Sequence, residues 1–124
     1  MRKDTESQKM KVFHAEPFGT KVLYFDNQKE FEKVYKAMTG MKPEYIGIPD
    51  GITSALEADD GEYVILIGWF CVDGEWRYST LAHECSHAAF RICGRHGVKL
   101  KSHNNETHAY LLSAMMDCFL GVRS

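Results

Sequence analysis

Along the chain, the spacing of apolar positions switches between a period of two and a period near 3.6, and the switches mark out the elements. Val12 to Phe18 and Lys21 to Phe25 are short runs rich in Val, Phe, Leu and Tyr, separated by Gly19-Thr20; they predict two strands joined as a hairpin. Asp26 or Asn27 then caps a helix running to about Met38. Phe31, Val34, Tyr35 and Met38 recur at helical spacing there, and Gly40 closes it. A turn-rich stretch from Lys42 to Gly51 follows. Ile52 to Ala58 and Glu62 to Phe70 flank Asp59-Asp60-Gly61 and predict a second hairpin. Tyr63-Val64-Ile65-Leu66-Ile67 is apolar without alternation, as in a strand covered on both faces. Ile52 to Leu56 is more polar and reads as an edge strand.

The last third is helical. One helix begins near Arg77 to Ser79 and ends at Gly94, with Leu81, Cys85, Ala88, Ala89 and Ile92 on one side. Val98 to Lys101 crosses over, and Ser102 or Asn104 caps a final helix through about Leu120, whose Leu111, Leu112, Met115, Met116, Phe119 and Leu120 form a broad apolar surface. The expected fold class is therefore α+β: about four strands in an antiparallel or mixed sheet, an N-terminal helix, and two C-terminal helices. No repeat or composition break divides the chain. Residues 12–124 read as a single domain behind a polar tail, residues 1–11, expected to be partly disordered.

Composition narrows the function classes. At 124 residues with 44% hydrophobic and 26% charged side chains, the chain has the make-up of an ordinary globular domain. Its net charge of −2 gives no broad basic footprint, so neither nucleic acid nor an anionic membrane is an expected partner. The tail lacks the apolar centre of a signal peptide or membrane span. Cys71, Cys85, Cys93 and Cys118 form no C-x-x-C pair, and Cys85 and Cys93 lie two helical turns apart, about 12 Å, too far for a disulfide. They read as free thiols in a reducing compartment, which makes a cytoplasmic location the expectation.

The chemistry concentrates in His83-Glu84-Cys85-Ser86-His87. On a helix, His83 and His87 stand one turn apart on one face with Glu84 beside them. Two imidazoles at that spacing can share one metal ion, and the neighbouring carboxylate can move protons to and from water: the H-E-x-x-H arrangement of zinc hydrolases. A catalytic zinc takes three protein ligands and leaves one position open. Glu106, in the first turn of the last helix, is the chosen third ligand, because Tyr110, Ser113 and Asp117 continue a polar stripe from it that needs something polar to face. His96 and His103 compete for the same role, and His108 projects to the other side of its helix from Glu106.

His83 to His87, followed by Asn105-Glu106-Thr107-His108-Ala109-Tyr110-Leu111, resembles the gluzincin pattern of HExxH and a later glutamate on a second helix. More narrowly, His83 to Phe90 with Asn104 to Leu112 resembles small metallopeptidases encoded by phages and prophages. The resemblance covers about the last 45 residues. It implies a zincin-like domain holding one Zn²⁺ per chain through His83, His87 and Glu106. Glu84 would be general base and acid, the substrate a protein or peptide, and the location the host cytoplasm. An edge strand above the metal would bind substrate by strand addition. Tyr110, His108 or His103 would supply an oxyanion donor, and Asp117 an acceptor behind a ligand histidine. Thermolysin-type enzymes carry an aspartate at the position of Tyr110. Two other readings stand beside this one: a metal-binding structural or interaction protein without catalysis, and a Spartan-like protease using His96 as third ligand.

Overall fold

The computed structural model describes residues 10–45, 50–57, 60–101 and 105–121. Strands β1 (Lys11–Ala15), β2 (Thr20–Phe25), β3 (Gly51–Glu57) and β4 (Tyr63–Trp69) form one sheet in the order β1-β2-β4-β3. β1 and β2 run antiparallel, β2 and β4 parallel, and β3 and β4 antiparallel, so the sheet is mixed and β3 is an edge. Helix α1 (Gln28–Thr39) covers one face; α2 (Tyr78–Arg95) and α3 (Glu106–Leu120) cover the other. The fold is α+β with three helices among the described residues, as the hydrophobic periods imply.

β4 is the keel. Its unbroken apolar run divides between the faces at the strand period of two. Ile65, Ile67 and Trp69 pack with α2 and α3, whereas Val64 and Leu66 pack with Phe31 of α1. Ile65, Leu66 and Ile67 are fully buried, each contributing roughly 1.5–3 kcal/mol of burial. α1 starts where the Asn27 side chain accepts the Glu30 N–H at 2.9 Å. It stops at Gly40, whose φ of 77° lets its N–H turn back to the Lys36 carbonyl.

Several boundaries differ from the sequence expectation. β1 ends at Ala15 rather than Phe18, because residues 16–19 form the turn: Pro17 has no N–H for a ladder, and the Gly19 N–H closes on the Ala15 carbonyl at 2.8 Å. Lys11 belongs to β1 rather than to the tail, and its ammonium donates to the Phe119 carbonyl at 2.8 Å near the end of α3. α3 is preceded by Asn105; the expected caps Ser102 and Asn104 lie outside the described residues, as do residues 1–9 of the tail and Asp59 of the second turn. Among the described residues no helix is long and apolar enough to cross a membrane.

Candidate functional site

α2 is where the core and the chemistry divide. Leu81, Cys85, Ala88, Ala89 and Ile92 are fully buried, and this face seats the helix on the sheet. His83 and His87 project to the opposite, exposed side. Glu84 lies at the boundary and is only 8% exposed, so its carboxylate needs partners. Burial pushes the Cys85 thiol up to about 12, with the Glu84 charge and Cys118 adding to the rise; a protonated thiol on the core face is neither a ligand nor a nucleophile at neutral pH.

The start of α2 is fastened to the sheet by three polar contacts. Thr80 Oγ1 donates to Asp50 Oδ2 at 2.9 Å, Arg77 Nη1 stands 3.5 Å from the same oxygen, and Trp69 Nε1 donates to the Arg77 carbonyl at 2.9 Å. Further along, Thr53 Oγ1 of the edge strand lies 2.6 Å from Glu84 Oε1 and 3.0 Å from the Glu84 carbonyl oxygen. The edge strand is thus bonded to the motif's glutamate.

The two histidines converge. Their Nε2 atoms are 3.0 Å apart and their rings nearly perpendicular at 89°. Two nitrogens each about 2.05 Å from one tetrahedral ion would be about 3.3 Å apart, so the pair fits two ligands of a zinc-sized cation. His83, Glu84 and His87 line an open cleft of about 690 Å³, together with residues 51–54 of β3 and with Tyr35, Met41, Lys42, Glu44 and Tyr45.

The other expected site residues are not brought to this pair. Among the described residues, no three His, Cys, Asp or Glu side chains are gathered so as to hold a metal ion. Glu106 and Tyr110 are exposed, and so are Ser113 and Asp117. The polar stripe of α3 therefore faces solvent instead of α2. The reason is the helix's rotation, set by Leu111, Met115 and Phe119, which are buried. At about 100° per residue, Glu106 stands about half a turn from Met115, whereas His108 falls within about 20° of it. His108 accordingly faces α2: its Nε2 is 3.3 Å from the Ser86 carbonyl oxygen and 3.4 Å from Ser86 Oγ, and its ring packs on Phe90. His96 is also engaged elsewhere, with Nε2 3.2 Å from Thr20 Oγ1 and its ring stacked on Phe18, and it is not gathered with His83 and His87. His103 lies outside the described residues.

No protein-family model, curated protein or solved structure matches the chain. The site rests on its own geometry. Residue-by-residue reading of the sequence missed Thr53, Gly51 and Asp50, since nothing in Asp50-Gly51-Ile52-Thr53 marks it as the partner of a helix thirty residues away. A signal was present in outline: alternate residues of an edge strand share a face, and Gly51 and Thr53 are the small and hydroxyl-bearing members of that face.

Proposed function

We propose that the protein is a metal-dependent peptidase that hydrolyses an extended peptide laid along the edge of β3. One observation carries this reading: a single helix presents two converging imidazole nitrogens and a buried carboxylate, all in one cleft beside the edge strand of the described sheet. Among the described residues β3 pairs with β4 alone, and residues 51–54 line the cleft, so backbone N–H and C=O groups there can pair with a substrate backbone. A cleft open along a strand suits a polypeptide better than a compact metabolite.

His83 and His87 would hold the cation, their Nε2 atoms already converging. A Zn²⁺ ion held there would supply Lewis-acid chemistry, polarising the scissile carbonyl and acidifying water. Glu84 accepts the proton that water gives up and returns it to the leaving amine. Its burial keeps that carboxylate poorly solvated and leaves it dependent on Thr53 for its orientation. Glu106 remains the proposed third ligand on the gluzincin resemblance, although α3 turns it toward solvent here; a ligand role requires the first turn of α3 to present it to α2. The host cytoplasm is the location this reading proposes, and the four free cysteines are compatible with its reducing conditions.

The test is metal content and hydrolysis measured on the same samples. Wild-type protein is expected to bind one zinc per chain and to cleave members of a random peptide library read by mass spectrometry. Glu84→Gln should keep the zinc and lose cleavage, and His87→Ala should lose both. Stoichiometric zinc in a wild type that cleaves nothing would leave a metal-binding interaction protein; retention of zinc by His87→Ala would remove the site altogether.

A further inference from the structure

The edge strand reaches the motif's glutamate at two points, and together they distinguish its two carboxylate oxygens. Gly51 and Thr53 are alternate residues of β3 and so share the face that looks onto α2. Thr53 has one hydroxyl proton and two acceptors within reach, Glu84 Oε1 at 2.6 Å and the Glu84 carbonyl oxygen at 3.0 Å. The shorter contact is in the range of a hydroxyl donating to a charged oxygen, so the proton goes to Oε1. On the other side, a Cβ at Gly51 would come within 3.0 Å of Glu84 Oε2 and 2.5 Å of Thr80 Cγ2. Oε2 therefore occupies the space that a side chain at position 51 would fill, and both Gly51 and Glu84 line the cleft.

We infer that Thr53 and Gly51 are positioning residues that reserve Glu84 Oε1 for the strand and leave Glu84 Oε2 as the oxygen that carries the proton during peptide hydrolysis. The inference rests on the proposed reading of Glu84 as general base. In the reaction, water loses a proton to Oε2 as its oxygen bonds to the carbonyl carbon; when the C–N bond breaks, Oε2 gives the proton to the departing nitrogen, and the carboxylate is restored. Through both transfers Oε1 keeps the same donor, so the carboxyl group does not rotate between its two tasks.

Two experiments test this. Steady-state hydrolysis with zinc-loaded protein should show Thr53→Val lowering kcat by about 10- to 100-fold, part of the 10²–10⁴ a positioned base supplies, with KM and zinc content unchanged. Thr53→Ser, which keeps the hydroxyl, should recover kcat to within a few-fold. In the metal-free protein, urea unfolding of Thr53→Val, Glu84→Leu and the double variant should be non-additive, the Thr53→Val loss in midpoint shrinking when Glu84 is already gone. A Thr53→Val enzyme with undiminished kcat, alongside an inactive Glu84→Gln enzyme, would overturn the positioning role and leave the base assignment standing. Additive unfolding losses would overturn it too. A wild type that hydrolyses nothing would bring down the base assignment, and this inference with it, leaving the non-additive unfolding as a purely structural bond.

Discussion

Gly51→Ala puts a single methyl group where the edge strand, α2 and the motif glutamate meet. The added carbon would lie 2.5 Å from Thr80 Cγ2 and 3.0 Å from Glu84 Cγ and Oε2. Carbon atoms settle at about 3.5–4.0 Å, so the overlap with Thr80 is roughly 1 Å. Thr80 cannot swing away cheaply: it is β-branched, and its hydroxyl donates to Asp50 at 2.9 Å. Either that bond breaks or α2 backs off the sheet. Overpacking of this kind costs about 1–3 kcal/mol. Against it stands a gain of about 0.4–1 kcal/mol from a stiffer unfolded chain. The net loss is about 1–2 kcal/mol, or roughly 3–10 °C in Tm for a domain of this size. Urea unfolding followed by far-UV circular dichroism should show a lower midpoint with an unchanged slope. Gly94→Ala is the control: it lies in α2, and its Cβ would meet nothing within 4 Å, so the midpoint should rise by up to about 1 kcal/mol equivalent. If Gly51→Ala matched or exceeded the wild type, the close approach of β3 to α2 would be wrong, and with it the placement of Glu84.

Leu81 is fully buried beneath α2, so Leu81→Ala should cost about 2–5 kcal/mol in the same unfolding assay while a folded sample still binds metal through His83 and His87. Tyr24 is buried against Phe119, and burial, reinforced by the charge of Asp26, raises its phenol above the ordinary 10.0. The unfolded chain then releases that proton first, so stability intact below about pH 10 falls as pH rises beyond it, by at most about 1.4 kcal/mol per pH unit; Tyr24→Phe should flatten the urea midpoint against pH there. Among the four cysteines Cys71 is exposed, whereas Cys85 and Cys93 are buried with raised thiols. A thiol reagent should therefore label Cys71 at once and those two only on unfolding, which peptide mapping reads directly.

The fold was legible where burial follows a simple period. β4 needed no alternation to be recognised, because a strand between helices has no wet face, and Ile65 and Leu66 indeed point to opposite layers. α1 was framed by Asn27 and Gly40, whose chemistry acts within four residues. The turn at residues 16–19 was harder. Phe18 reads as the end of a strand by hydrophobicity, yet Pro17 breaks the ladder, and Phe18 finds its burial by packing beside the core and stacking on His96.

At the site, legibility stopped where one helix had to be placed against another. The faces of α2 could be derived because five apolar residues and two histidines divide cleanly around it. For α3 the polar stripe misleads: solvent is a sufficient partner for it, and the burial of Leu111, Met115 and Phe119 decides the rotation. Burying those three side chains is worth several kcal/mol, and a lone carboxylate at Glu106 has nothing comparable to set against it until an ion binds. On the proposed reading, metal and core would pull the first turn of α3 in different directions. Glu106→Ala separates them, since it should leave the unfolding midpoint of the metal-free protein unchanged and weaken zinc binding. Unaltered zinc content in that variant, with loss of zinc in His103→Ala, would move the third ligand to the segment before the helix.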